Sequence, residues 1–207
     1  MDHSEATAVA RPYHHGDLKT ALLTQAEAIL ERDGIQALTL RAAARAAGVS
    51  HAAPANHFGD LTGLLSELAA VGFIRFSAML TAARATGGGG QPSGSRAMGQ
   101  AYVTFARTYP NLFILMFRGE RLDTTRPALR DAMDAAAQAL RSVGAPPAVP
   151  LPPLQAAARA AARWSLVHGF AMLLLDGRLA GMIGSLSPNE DADDLLDAVL
   201  AVTRFDG

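Results

Sequence analysis

Few side chains in this sequence are equipped for chemistry, and the densest group lies between positions 35 and 58. Arg41 and Arg45 are the charged residues there, a balance of +2 with no acid. Around them stand Thr39, Ser50, His51, Asn56 and His57, all able to make hydrogen bonds. A guanidinium grips phosphate as a fork, which makes Arg41 the best phosphate clamp, with Thr39 and Lys19 as helpers. Asparagine pairs bidentately with adenine in the major groove. The plainer reading of Asn56 is an exposed polar residue. Ala52 and Ala53 carry no donor, but a methyl can touch the methyl of thymine.

A second group is apolar. Phe105, Tyr109, Phe113, Met116, Phe117, Met133, Trp164, His168 and Met172 concentrate aromatic and thioether side chains in the second half of the chain. A ligand cavity between helices is built this way, from apolar walls and a few polar anchors. His168, Tyr109 and Arg163 are the candidate anchors. Trp164 and His168 share a helix face at i and i+4, and Gly169 beside them would let another helix approach closely. For any one of these residues, ordinary core packing is the competing reading. A ligand held here would be apolar or aromatic, since a highly charged one would need more counter-charges.

Other chemistries find no support. There is no cysteine, so no disulfide, thiolate metal site or cysteine nucleophile. The six histidines form no HExxH or i,i+4 pair, and Gly87–Gly90 lacks the strand and helix of a phosphate cradle. His168 and Asp176 sit over two helical turns apart, too far for direct contact. No catalytic residue, metal or cofactor is expected.

The chain has 207 residues, 50% hydrophobic and 18% charged, with a formal net charge of −1. This is enough for a large core, and the chain as a whole is no polycation for coating nucleic acid. The first residues, MDHSEATAVARPYHHG, hold acids and no apolar run, unlike a secretory signal. Apolar runs such as Ala171 to Leu175 fall short of the ~20 residues of a membrane span. A soluble, cytoplasmic protein without a membrane partner is expected.

The pattern is all-α, with about nine helices. Residues 1–15 read as a disordered arm. Leu18, Leu22, Ala26, Ile29 and Leu30 mark a first helix over 17–33, closed by Gly34. Thr39 caps a short second helix, Gly48 ends it, and Ser50 caps a third over 51–57. A fourth runs from Leu61 to about 85. TGGGGQPSGS, residues 86–95, reads as a flexible loop. Helices over 96–109, 111–118 and 126–143 follow, then a proline-rich loop to 153. The most apolar helix spans 154–180. The last begins at a capping box, Ser187-Pro188-Asn189-Glu190. Residues 187–207 balance −5 and 87–186 balance +5, which reads as a solvated helix face, with a DNA-repelling acidic patch as the alternative.

Two short helices joined by a glycine turn suit a helix-turn-helix, in which the second helix enters the major groove. An ordinary helical hairpin has the same spacing. The residues themselves go further. GDLKTALLTQAEAILERDGIQALTLRAAARAAGVSHAAPANHFGD, closing on His57-Phe58, resembles the DNA-binding head of the TetR family of regulators. The resemblance covers residues 16–76, places the helix-turn-helix at 39–58, and implies that Ser50 to His57 read DNA. WSLVHGFAMLLLDGRLAG resembles the family's Trp-His-Gly type of C-terminal domain, making 77–207 a regulatory and dimerisation domain. It implies a four-helix interface with a second copy, through Leu166, Phe170, Leu173, Leu174 and Gly177 and, on the last helix, Leu195, Val199 and Val202.

The family implication is a homodimer, most simply a repressor, that binds a palindromic double-stranded operator and lets go when a small effector binds. Three departures weigh against strong DNA binding. Ala55 stands where relatives usually have tyrosine, Asn56 where arginine or tyrosine is common, and Leu61 where a lysine opens the fourth helix. Residues 1–86 also balance −1, a poor footprint for DNA. The alternative is therefore a TetR-fold ligand-binding or protein-interaction module with weakened or lost DNA binding.

Overall fold

The computed structural model describes residues 15–87, 92–142 and 149–202. Among these it contains ten α-helices, one 3-10 turn and no strand. The chain divides into two compact units, Met1–Leu64 and Leu65–Gly207.

The first unit is built on α1 (His15–Asp33), α2 (Leu40–Ala46) and α3 (Ala53–Phe58). Leu22, Ala26, Leu30, Leu38, Ala43, Ala44 and Phe58 form its buried core. Gly34 follows α1 at φ +78° and returns its N–H to the Leu30 carbonyl at 3.0 Å. A side chain there would strain the backbone, which is why glycine ends the helix. Thr39 caps α2 as expected, its hydroxyl accepting from the Ala42 N–H at 3.0 Å. Gly48 turns the chain at φ +67°.

The third helix departs from the sequence reading. It begins at Ala53, with Ala52 as an N-cap that makes no side-chain bond. Ser50 and His51 lie in the preceding turn, and it is the Ser50 carbonyl that takes the Ala53 N–H, at 3.0 Å. Pro54 explains the shift. It has no N–H to give and its φ suits the first helical turn, so the start moves two residues past the expected one.

The second unit holds most of α4 (Leu61–Thr86), then α5 (Pro92–Thr108), α6 (Pro110–Met116), a 3-10 turn (Gly119–Arg121), α7 (Pro127–Arg141), α8 (Pro153–Leu175), α9 (Ala180–Ile183) and α10 (Ala192–Val202). Proline opens α5, α6, α7 and α8, a position where its missing donor costs nothing. α5 lies at the centre, packed on α6, α8 and α10. Phe76, Tyr102, Phe105 and Phe113 interlock as edge-to-face rings 5.0–5.7 Å apart. At Gly72 a Cβ would stand 2.7 Å from Met116 Sδ and 3.1 Å from Leu112 Cγ, so α4 and α6 touch where only hydrogen fits.

Three further boundaries differ from the expected ones. α5 starts at Pro92, so the anticipated loop shortens to 87–91, of which 88–91 lie outside the described residues, as do the arm up to residue 14 and the proline-rich stretch 143–148. The helix expected over 154–180 stops at Leu175. Gly177, at φ +70°, donates to the Leu174 carbonyl at 3.0 Å and Arg178 to that of Leu173 at 2.9 Å, a Schellman stop. The capping box expected at Ser187 is half formed: Glu190 accepts the Ser187 N–H at 3.0 Å, but only a turn follows. The working box is four residues on. Asp191 accepts from the Asp194 N–H at 3.2 Å, and Asp194 accepts from the Asp191 N–H at 2.9 Å.

The acids of α10 are not simply solvated. Arg96 and Gln100 of α5 hold the Asp197 carboxylate, and Arg107 meets Asp193 at 2.7 Å. The Arg96 hydrogen bond holds the Asp197 carboxyl below the usual range. Finally, α4 is long and apolar enough to cross a membrane by length and composition alone, a stretch the run-by-run reading overlooked. Most of that apolar window is buried in the fold, as expected of a core helix.

Candidate functional site

In the first unit the structure sorts the candidate DNA contacts by exposure. Thr39, Arg41, Ser50, His51, Ala52 and Asn56 are exposed; Lys19 and His57 are half-buried. Ala53 is buried beneath α3 and cannot reach a base edge, which corrects its assignment as a thymine contact. Ala55 is exposed at the middle of α3 and Leu61 at the start of α4, 37% exposed. Asp60 caps α4, its carboxylate accepting from the Gly63 N–H at 2.8 Å. The Thr39 hydroxyl accepts in its cap and keeps its O–H to donate to a phosphate, beside exposed Arg41 on α2.

In the second unit a cavity of about 510 Å³ lies among α4, α6, α7 and α8. This volume is in the range that holds a drug-sized ligand. Phe73 and Phe76 come from α4, Met116 from α6 and Phe117 from the residue that follows it. Met133, Ala136, Ala137 and Leu140 come from α7, Ala160, Ala161 and Trp164 from α8. Gly119, Leu122 and Thr124 close one side, and Arg141 contributes the single charged side chain. The loop that carries Thr124 is pinned by fully buried Ser66, whose hydroxyl accepts the Asp123 N–H at 2.8 Å.

Of the aromatic and thioether residues singled out in the sequence, Met116, Phe117, Met133 and Trp164 line this cavity. Phe105 and Phe113 do not: both are fully buried core. Tyr109 is not in the wall either; the Arg75 guanidinium sits over its ring, 4.6 Å from the centroid. Met172 and His168 also fall outside the lining. The alanines of α7 and α8 escaped the sequence reading, because 43 alanines leave no usable periodicity. Phe73, Phe76 and Arg141 were missed because nothing local marks which helix face meets a void.

His168 belongs to a polar chain behind the cavity wall. Trp164 Nε1–H donates to the Tyr102 hydroxyl at 3.1 Å, and that hydroxyl lies 2.9 Å from His168 Nδ1. Tyr102 was not singled out in the sequence; a buried tyrosine needs such partners. Burial raises the phenol well above its ordinary pKa and lowers that of the imidazole. With Trp164 donating, Tyr102 donates in turn to a neutral Nδ1. The rings of Phe113 and Phe117 flank His168, centroids 5.6 and 4.7 Å away.

A pH dependence follows. The folded state disfavours protonated His168, so the unfolded chain binds more protons between the lowered pKa and the ordinary histidine value of 6.5. This contribution is intact above pH 6.5 and is lost as pH falls through the folded value. Stability should therefore drop from pH 7.5 to 5.5, and His168→Gln should flatten that drop. Urea midpoints at both pH values check it; equal slopes in the two proteins would refute it.

Comparison with known proteins places this architecture. Residues 95–203 match the family model described as the tetracycline-repressor-like C-terminal domain. A solved protein of unknown function from Rhodococcus sp. RHA1 is 32% identical, over 93% of this chain and 96% of that one, with a TM-score of 0.70. The chain belongs to the TetR family of transcriptional regulators. The TetR fold recurs in SCO4313, a candidate regulatory protein, at 24% identity, 94% and 98% coverage and a TM-score of 0.68. It recurs in the TetR family regulator PfmR from Thermus thermophilus, at 19% identity, 87% and 95% coverage and a TM-score of 0.50. A search of curated proteins gave no match.

For a TetR protein the face of α8 and α10 is of interest, and the expected dimer residues divide. Leu173 is 43% and Val202 83% exposed, while Leu166, Leu174, Leu195 and Val199 are half-buried. Phe170 is buried within the single chain, so its ring is core. Gly177 is the stop after α8 rather than part of its face. A Cβ at Gly169 would meet nothing within 4 Å, so the close approach expected there is not made within the chain.

Proposed function

We propose that this TetR-family protein is a cytoplasmic, ligand-responsive homodimer, most simply a repressor. Its two heads read a palindromic double-stranded operator, and an apolar or aromatic effector in the cavity releases them. The cavity carries this reading. Its walls are aromatic and aliphatic, and two of its residues, Phe73 and Phe76, stand on α4, the helix whose first turn belongs to the head unit. A ligand that prefers one placement of α4 would shift the pair of heads by its differential affinity for the two states. Dimerisation through α8 and α10 is part of the same proposal, since one α3 of six residues reaches few bases. Two heads held ~34–36 Å apart read two half-sites.

Fluorescence anisotropy on DNA flanking the protein's own gene, against a scrambled duplex and at several salt concentrations, tests it. Specific binding of two chains per site supports the regulator. Equal, weak binding to both duplexes favours the second reading, a ligand-binding or interaction module with weakened DNA binding. Exposed Ala55 and Leu61, which offer DNA no hydrogen bond, are what favour that alternative.

A further inference from the structure

We infer that the cavity takes a planar aromatic molecule bearing one negative charge, with Arg141 as its counter-ion. The inference rests on the cavity being the effector site. It goes beyond an apolar effector by fixing the charge and the residue that reads it.

Three observations carry it. The residues that line the cavity include no acid, and Arg141 is their one ionisable side chain. A cation without a lining carboxylate makes the cavity selective by sign: an amine would face it unpaired, and an anion would meet it. Second, Arg141 is the last residue of α7 and is exposed, while Phe73, Phe76 and Trp164 lie in the same wall. The charge and part of the Trp164 ring stand in contact with solvent while Phe73 and Phe76 lie within, so an amphipathic ligand keeps its head hydrated while burying its body. A doubly charged ligand would have to bury its second charge without a partner. Third, Asp123, which stands between the lining residues Leu122 and Thr124, is held elsewhere. Its carboxylate accepts from both the backbone N–H and the hydroxyl of Thr125, and these bonds hold it below the usual carboxylate range. It does not compete for Arg141. No ion pair engages Arg141 among the described residues.

A guanidinium–carboxylate pair is stronger than a neutral hydrogen bond and geometrically specific. The test uses three probes on one skeleton: 2-naphthoate, its methyl ester and 2-naphthylmethylamine, titrated into the intact protein by calorimetry at pH 7.5. The expected result is that naphthoate binds about 10- to 100-fold tighter than the ester or the amine. Arg141→Gln should bring naphthoate to the level of the ester and leave the ester unchanged, with Arg141→Lys in between. Ala161→Phe, which fills the cavity from an exposed helix position, should abolish binding of all three. Equal binding of acid and ester, both lost in Ala161→Phe, would overturn the charge selectivity and leave the cavity as an apolar effector site. Binding indifferent to Ala161→Phe, or none of the three bound at millimolar concentration, would overturn the effector site and this inference with it.

Discussion

Phe113→Ala should destabilise the protein by about 3–5 kcal/mol, the cost of emptying a fully buried aromatic site. Phe113 has no exposed surface and packs against Tyr102, Phe117 and His168 at centroid distances of 5.7, 5.0 and 5.6 Å. Removing the ring takes the support from α5, from α8 and from the residue that closes α6 at once, and opens a void beside the Trp164–Tyr102–His168 chain. Against a total stability of order 5–15 kcal/mol, such a loss leaves little margin at 37 °C. The sequence alone puts Phe113 with the ligand contacts, which implies a different outcome: a binding defect with normal stability. Urea unfolding at fixed protein concentration separates the two. A change below about 1 kcal/mol would show that the ring is not core. Phe117→Ala is the instructive partner, because Phe117 is half-buried and faces the cavity; its cost in stability should be smaller and its effect on ligand affinity larger.

The double substitution Ala55→Tyr and Leu61→Lys should raise DNA affinity roughly 10- to 100-fold at constant salt, with the slope of log affinity against log salt steeper by about 0.9 for the phosphate that lysine neutralises. Both positions are exposed and belong to the head unit, so new side chains there displace nothing from the core. A lysine at residue 61 also partly offsets the adjacent Asp60 carboxylate, which repels phosphate. Tyrosine brings a phenolic donor to a helix that now offers an alanine. Anisotropy titrations at three salt concentrations measure both quantities. An unchanged affinity and slope would show that the absent tyrosine and lysine are not what limits this head.

The helical architecture was legible because its punctuation is local. Gly34 and Gly48 act through their own backbone, and so they mark the same boundaries in sequence and structure. Ser50 and Ser187 misled for a related reason. Each has the side chain of a cap, but Pro54 and the Asp191–Asp194 box compete for the same ends, and the choice between adjacent caps depends on how the following helix packs. The cavity was legible only in its aromatic part. Trp164, Phe117 and Met116 advertise themselves by size. Ala136, Ala137, Ala160 and Ala161 matter because they are small where two helices would otherwise meet, a property of the pair rather than of either sequence. Tyr102 and His168 lie 66 residues apart in the chain, and nothing short of the fold brings them together.

Trp164 is the sole tryptophan of the chain, and it stands in the cavity wall with its indole N–H bonded to Tyr102. The protein therefore carries an intrinsic optical probe at the place where occupancy would matter, with no other indole to dilute the signal. A molecule entering the cavity must change either the polarity around the ring, the hydrogen bond behind it, or both. The first shifts the emission maximum and the second alters the excited-state lifetime. One unlabelled sample can thus report both whether the wall has been touched and whether the disturbance has passed through it to α5.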